Sequence, residues 1–267
     1  MHLFVWTLAA TMSVLGRGPA IVSNDSARCA DGERRVAVAD LAMPERMLPF
    51  KDGEQLEYSV SYTKLRAGSG TMHVVADTLR GAHVWRASLT VDGGIPFVSV
   101  HDTNTSWFER SSFTSLRFLQ QQHEPRHTAL RDFHIFPERR LFQSITGSEQ
   151  PTVADPMDEV AIVYFVRTLA LEPGQCFELH RYFKPGSNPV VVHVERRERI
   201  EVPAGTFNAI VVRPEIVTSG IFSENGRAEL WLSDDNARLV LQLKTHLSFG
   251  SINLYLRRAT NTVTPTP

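Results

Sequence analysis

The chain has 267 residues, of which 42% are hydrophobic and 21% charged, a composition typical of a globular protein with a sizeable core. Its formal net charge is −1 at pH 7, so no overall field draws it to nucleic acid or to anionic lipid. Two local basic runs, at 196–199 and 257–258, are interpreted as solvated strand faces or strand ends. We therefore expect no nucleic-acid partner.

A short apolar run lies near the first residue. Leu3 to Leu15, LFVWTLAATMSVL, has the length of a signal-peptide hydrophobic region and is too short for a comfortable membrane span. Small residues follow within 16–20, although His2 is the sole basic group ahead of the run, so a buried hydrophobic segment is the alternative. We predict a signal peptide over 1–20, a periplasmic or secreted location, and no integral membrane span after leader removal.

The two cysteines, Cys29 and Cys176, have a spacing that matches no zinc or redox motif. A disulfide between them would join an N-terminal arm to the domain and would suit an exported protein, but two free thiols fit the sequence equally well. The mixed polar composition of 21–48 predicts a flexible arm, and the sequence TNTVTPTP over 260–267 predicts a disordered tail.

Between these segments, residues 49–259 have the pattern of one β-rich domain. Leu56, Tyr58, Val60 and Tyr62 alternate with polar residues, which is the period of a half-buried strand. Further strand-like runs, separated by turn residues, follow at 71–79, 83–91, 96–110, 115–123, 128–136, 139–145, 176–183, 189–200, 207–213, 227–232, 239–248 and 252–258. This spacing predicts a mainly β fold: an antiparallel meander forming a curved sheet, half-barrel or barrel of about 10–13 strands.

One segment departs from this pattern and predicts a helix near 156–170. Asp155 suits the N-cap, Pro156 suits the first helical position, and the acidic pair Asp158-Glu159 complements the helix dipole. Apolar positions then follow helical spacing along one face before Glu172-Pro173-Gly174: Val160, Val163, Val166 and Leu169-Ala170. We expect a helix of about four turns that covers one mouth or face of the sheet.

Aromatic residues are spread over many of the predicted strands, and most are expected in the core: Tyr58, Tyr62, Trp85, Trp107, Phe108, Phe118, Phe133, Phe136 and Trp231. A barrel or half-barrel of this strand number can also enclose an apolar cavity for one lipid-like ligand. The sequence leaves open whether the interior is filled.

The turn WLSDDNAR supplies the candidate functional residues Trp231, Ser233, Asp234, Asp235 and Arg238. Paired carboxylates could serve glycoside hydrolysis if a second carboxyl faced them across a cleft. Adjacent strand residues point to opposite faces, however, and a hydrogen-bonded turn in which an aspartate pairs with Arg238 is the favoured alternative.

No other pattern of catalytic or metal-binding residues is found. His123, His127 and His134 cluster loosely without a zinc-binding helical spacing, so no metal site is predicted. Gly68-Ser69-Gly70 is not a nucleophile elbow, and no phosphate-binding glycine motif occurs. We therefore assign no catalytic residues and no cofactor.

Four stretches resemble the bacterial domain family DUF3108 and occur in that family's order: PFKDGEQLEYSVSYTKLRAGSGTMHV from Pro49, DEVAIVYFVRTLALEPGQ from Asp158, VPAGTFNAIVVRP from Val202, and ELWLSDDNARLVLQLKTHLSFGSINLYL from Glu229. The PAGTF hairpin followed by the WLSDD turn is the most specific combination. The resemblance implies a mainly antiparallel β fold and an envelope location, and it implies no established activity.

These observations favour a non-enzymatic cell-envelope protein that binds or positions a lipid, a glycan or a protein partner. Two alternatives stay open, a polysaccharide-active hydrolase that uses Asp234 or Asp235 and an envelope assembly or scaffold factor.

Overall fold

The computed structural model describes residues 28–38, 47–63, 65–95, 98–124, 127–216, 228–247 and 250–266, and the signal peptide predicted over 1–20 lies outside them. The strands are β1 (Arg34–Val36), β2 (Glu54–Tyr62), β3 (Leu65–Leu79), β4 (Ala82–Ile95), β5 (Val98–Glu109), β6 (Ser115–Glu124), β7 (His127–Phe136), β8 (Leu141–Ser144), β9 (Glu149–Pro151), β10 (Gln175–Leu179), β11 (Val190–Val202), β12 (Gly205–Glu215), β13 (Ala228–Ser233), β14 (Val240–Leu247) and β15 (Gly250–Thr260). A single helix, α1 (Glu159–Val166), lies between β9 and β10.

All fifteen strands belong to one open sheet in the order β1-β10-β11-β12-β13-β14-β15-β2-β3-β4-β5-β6-β7-β8-β9. Two meanders, β2 to β9 and β10 to β15, are joined because β15 pairs with β2, where Leu254 lies opposite Val60. Every pairing is antiparallel except that of β1 with β10. The predicted fold class is confirmed, and the strand number exceeds the expected 10–13 because β1 and β9, three residues each, carry no recognisable period.

Helix α1 lies inside the curve of the sheet, where all eight of its residues are buried. Its side chains contact β4 and β5 on one side, and Ile162, Val163 and Val166 face β12 and β13 on the other. A helix that is apolar on all sides is stable in water only when it is enclosed in this way. The expectation of a single apolar face was therefore wrong.

The helix is also shorter than predicted, with two turns instead of four, and its N-cap is Asp158 rather than Asp155. Asp155 has a left-handed φ of 47°, and Met157 forms a parallel bridge with Tyr182, so the segment before Asp158 is held in non-helical backbone. Tertiary pairing thus overrides a local pattern that would also suit a helix start. At the other end, α1 stops at Val166, before the predicted end at residue 170.

An aromatic cluster fills the space between helix and sheet. Phe50 packs edge-on against Trp85 and Tyr164, with ring centroids 5.5 and 4.9 Å apart, and Phe113 packs against Phe165 at 5.5 Å. On the side of α1 that faces β12 and β13, the described residues leave a space of about 10 Å³. The described side chains on that side of the helix are therefore closely packed.

Part of the predicted N-terminal arm belongs to the sheet. Arg34 pairs with Gln175 and Val36 with Phe177 in β10, and Cys29 forms a disulfide with Cys176, whose Cα lies 5.7 Å away. The expectation of a flexible arm does not hold for these residues. In the C-terminal segment predicted as a disordered tail, the Thr266 backbone N–H donates to the Asn236 side chain at 2.6 Å.

Candidate functional site

The turn between β13 and β14, which holds the candidate residues of the sequence, is a hydrogen-bonded structural turn. One carboxylate oxygen of Asp235 accepts hydrogen bonds from the Ser233 hydroxyl at 2.8 Å and from the backbone N–H groups of Ala237 at 2.9 Å and Arg238 at 3.2 Å. These bonds hold Arg238 at a left-handed φ of 44°, where a non-glycine residue needs support. Asp235 is thus used to shape the backbone.

The neighbouring Asp234 is used in ion pairs. Its two oxygens accept from Arg238 at 3.0 Å and from Arg197 at 2.8 Å. The fifth candidate, Trp231, donates its indole N–H to Glu198. The two aspartates therefore form no acid–base pair, and the geometry matches the turn interpretation rather than the hydrolase alternative.

An ion pair lies behind this turn, at the bottom of a cleft of about 390 Å³. Arg167, which follows α1, donates to both carboxylate oxygens of Glu54 at 2.6 and 3.1 Å, and to the backbone carbonyls of Pro49 and Ala237. Its guanidinium lies 5.3 Å from the ring centroids of Phe50 and Tyr164. The pair joins β2, the helix end and the turn, which is a structural role.

A second polar group surrounds the N-terminus of α1, on the concave side of the sheet. Asp158 caps the helix by accepting from the backbone N–H groups of Val160 and Ala161 at 2.9 and 3.0 Å, and it accepts from the Ser106 hydroxyl at 2.5 Å. Burial raises the pKa of the Asp158 carboxyl to about 6, and these hydrogen bonds oppose the rise.

Glu159, the next residue, has no helix-capping role. It accepts from the Tyr182 hydroxyl at 2.9 Å, and the Gln120 amide lies 3.5 Å from its other oxygen. Burial raises the pKa of the Glu159 carboxyl to about 7; the Tyr182 bond and the charges of Lys184 and Arg131 oppose this rise. The carboxyl therefore titrates near neutral pH, inside the fold and beside two cations.

Lys184 interacts electrostatically with the buried Glu159 carboxyl and also lines an open cleft. Its ammonium nitrogen lies 4.8 Å from the ring centroid of Phe133 and 5.1 Å from that of Phe183, and burial lowers its pKa. Within the described ranges no carboxylate oxygen lies within 4.0 Å of this nitrogen. A partly buried cation without a contacting anion is uncommon in a folded protein and marks the candidate site.

The cleft beside Lys184 has a volume of about 450 Å³, within the roughly 300–1,000 Å³ of small-molecule sites. It lies between β7, β8, β9 and the turn that follows β10, and it is lined by Phe133, Phe142, Ser144, Ser148, Gln150, Pro151, Lys184, Pro185 and Gly186. Arg131, also on β7, is exposed and donates to Gln122 at 3.0 Å. The arrangement can hold an anion.

The sequence interpretation overlooked both Glu159 and Lys184. It assigned Glu159 to the helix dipole, although a glutamate within the otherwise apolar helix sequence EVAIVYFV is a signal of a buried carboxyl. Lys184 lies in the sequence FKPGSNP, which indicates only a turn. Its neighbours Phe133 and Phe142 come from strands some 40–50 residues earlier, so no local pattern could reveal the cleft.

The cysteines form no metal site in this arrangement. Cys29, Glu33 and Cys176 lie together, but the two sulfur atoms are joined in the disulfide and are not available as thiolates. Glu33 is instead paired with the buried His193 at 2.8 Å, which lies opposite Cys176 in the sheet.

The histidines considered as ligands are also separate. His123 contacts the Thr128 hydroxyl at 3.1 Å, His134 lies 3.7 Å from Asp132, and the side chain of His127 lies outside the described part of the structure.

The comparisons with known proteins agree with the fold and leave the activity open. A family model described as "Protein of unknown function (DUF3108)" matches residues 57–257, so the chain belongs to this family. A search of curated proteins finds no match in sequence.

Among solved structures, the chain is similar to a β-barrel-like protein of the domain of unknown function DUF1849 from Brucella abortus, with a TM-score of 0.50, 9% identity, and coverage of 78% of this chain and 97% of the other. A "putative lipoprotein" from Parabacteroides distasonis matches with a TM-score of 0.36, 12% identity and coverage of 80% and 98%. A "putative exported protein" with a YmcC-like fold from Bacteroides fragilis matches with a TM-score of 0.30, 12% identity, and coverage of 80% of this chain and 98% of the other. The first similarity supports the fold alone.

Within the described residues, no helix combines the length and the hydropathy that crossing a membrane requires.

Proposed function

We propose that the chain is an exported, non-enzymatic binding protein of the cell envelope, and that its ligand lies in the cleft beside Lys184. The single observation that carries the proposal is the Lys184 ammonium, which is partly buried over two aromatic rings, faces an open cleft, and contacts no carboxylate of the residues that the structure describes. A ligand with an acceptor group would satisfy this cation.

Export is supported by two features that are independent of each other. The apolar run from Leu3 to Leu15 has signal-peptide length. The disulfide between Cys29 and Cys176 joins residues 147 positions apart, and such bonds persist mainly in oxidising compartments.

A non-enzymatic role is supported by how the acidic side chains are used. Asp234 and Asp235 shape a turn, Glu54 is paired with Arg167, and Asp158 caps the helix. Each of these carboxylates is therefore engaged in a contact that stabilises the fold.

The test is native mass spectrometry of the full chain purified from its own cell envelope, compared with the variant Lys184→Met. We expect the wild-type protein to come from an exported fraction with its disulfide formed and with a bound small molecule that Lys184→Met loses. A cytoplasmic, reduced protein would contradict export. A ligand retained equally by Lys184→Met would contradict the assignment of the cleft.

A further inference from the structure

The groups that line the Lys184 cleft narrow the chemical class of its ligand. We propose that the cleft binds an acidic saccharide, with a sugar carboxylate placed against the Lys184 ammonium. This inference rests on the proposed function and goes further by naming the ligand class.

The charge at the cleft selects an anion. Lys184 is a compact point charge that is partly withdrawn from water, which strengthens its attraction for an anion that reaches it. Arg131 adds a second positive charge on the same concave face. No aspartate or glutamate is among the described residues that line the cleft, so an incoming carboxylate meets no acidic side chain of that set.

The remaining lining groups suit a sugar ring. Ser144, Ser148 and Gln150 provide hydroxyl and amide groups, which both donate and accept hydrogen bonds as sugar hydroxyls do. The apolar surfaces come from Phe133, Phe142 and two prolines. A pyranose has hydroxyls around its edge and C–H groups on its faces, so this mixture of polar and apolar surface complements it.

Other anionic ligands fit the surroundings less well. An acyl chain would need an apolar space beside the cation, and the rings of Phe133 and Phe183 already pack against that ammonium and against each other. An extended acidic peptide would be expected to pair with the adjacent sheet edge, β9. That strand has three residues, and its last, Pro151, has no N–H to donate.

The experiment is isothermal titration calorimetry of the full chain with a β-1,4-linked glucuronate trisaccharide and with cellotriose, which has the same linkage but no carboxylate. We expect wild-type protein to bind the acidic trisaccharide about tenfold or more tightly than cellotriose, because a charge-assisted contact is lost in the neutral sugar.

Matched variants assign the effect to the cleft. Lys184→Met retains the length and apolar body of the side chain, and it should weaken binding of the acidic trisaccharide about tenfold or more. Lys184→Arg, which retains the charge, should bind more tightly than Lys184→Met. The control Lys51→Met removes an exposed lysine in the loop before β2, and it should leave the affinity unchanged. Near-UV circular dichroism checks that each variant is folded.

Three results would overturn the inference: equal binding of the two trisaccharides, no effect of Lys184→Met, or no binding of either sugar. Vesicles of anionic phosphatidylglycerol and a poly-glutamate peptide are titrated in parallel. If either binds while the acidic sugar does not, the saccharide assignment is likewise overturned. If Lys184→Met abolished that binding, the cleft of the proposed function would stand with a different ligand.

Discussion

Arg167 and Glu54 form a two-point ion pair in which the side chains are 0% and 1% exposed, with Nη1 of Arg167 2.6 Å from Oε1 of Glu54. The Nη2 nitrogen of Arg167 also donates to the backbone carbonyls of Pro49 and Ala237. Burial of two charges costs solvation energy, which this geometry offsets only while both partners are present.

We therefore predict that Arg167→Met or Glu54→Gln lowers the free energy of unfolding by about 3–5 kcal/mol, because each change leaves buried polar groups unpaired. Urea unfolding followed by tryptophan fluorescence measures the change. The control Arg139→Gln breaks an exposed pair with Glu149, where the side chains are 48% and 40% exposed, and it should cost less than about 1 kcal/mol. Equal costs in the two places would refute the structural role of the buried pair.

Substitutions of the two aspartates in the β13–β14 turn distinguish a structural role from a catalytic one. Asp235→Ala removes three hydrogen bonds, two of them from backbone N–H groups, and should destabilise the protein by about 1–3 kcal/mol. Asp234→Ala loses partly exposed ion pairs and should cost less.

Thermal and urea unfolding rank the two variants, and an assay on a panel of polysaccharides provides the second measurement. Polysaccharide cleavage by wild-type protein that Asp235→Asn abolishes without loss of stability would revive the hydrolase alternative.

Glu159 should make the stability of the protein depend on pH. Its pKa is about 7 in the folded chain against 4.5 for an unperturbed glutamate, so the folded state binds the proton more tightly. The stabilising contribution is full below about pH 4.5 and is lost as the pH rises through 7. At about 1.4 kcal/mol per pH unit, this range corresponds to roughly 3 kcal/mol.

The variant Glu159→Gln cannot ionise, so its free energy of unfolding should rise relative to wild type by a few kcal/mol between pH 5 and pH 8. Asp158 titrates in both proteins, so its contribution to the pH dependence cancels to a first approximation when the two are compared. Glu149→Gln, at an exposed site, is the matched control. A stability difference that stays constant across this pH range would show that Glu159 is already ionised at pH 5.

The same carboxyl should influence binding in the neighbouring cleft. Above pH 7 an ionised Glu159 attracts Lys184 and weakens the field that an acidic ligand meets, whereas below pH 7 the carboxyl is neutral. Affinity for the glucuronate trisaccharide should therefore increase severalfold from pH 8 to pH 6. Glu159→Gln should bind equally well at both pH values, measured by calorimetry. A wild-type affinity that falls over this range would contradict the coupling.

The sequence was a good guide to elements whose signal is local. The alternation of Leu56, Tyr58 and Val60 identified β2, and the VPAGTF motif identified the β11–β12 hairpin, where Gly205 has a φ of 135°. By contrast, β1 is a strand only because it pairs with β10, and that contact crosses about 140 residues of sequence.

The candidate site could not be predicted from the sequence for the same reason, because its residues are far apart in the chain. Lys184 gains its properties from Phe133 on β7 and from Glu159 on α1, neither of which is near it in the chain. The helix start was misplaced because the pairing of Met157 with Tyr182 decides where helical backbone can begin. A single sequence shows which residues are present, but it does not show which of them lie close together in the fold.

The parallel pairing of β1 with β10 has a consequence for the order in which the sheet assembles. The β2–β9 meander pairs consecutive strands, so it can form before the later strands of the chain are available. Strand β1 precedes that meander in the chain, yet its partner and Cys176 follow it. The first strand in the chain therefore cannot pair until the segment that contains Cys176, about two-thirds of the way along the sequence, is present. The disulfide of Cys29 needs the same late segment, so formation of this bond and the pairing of β1 depend on the same step of assembly.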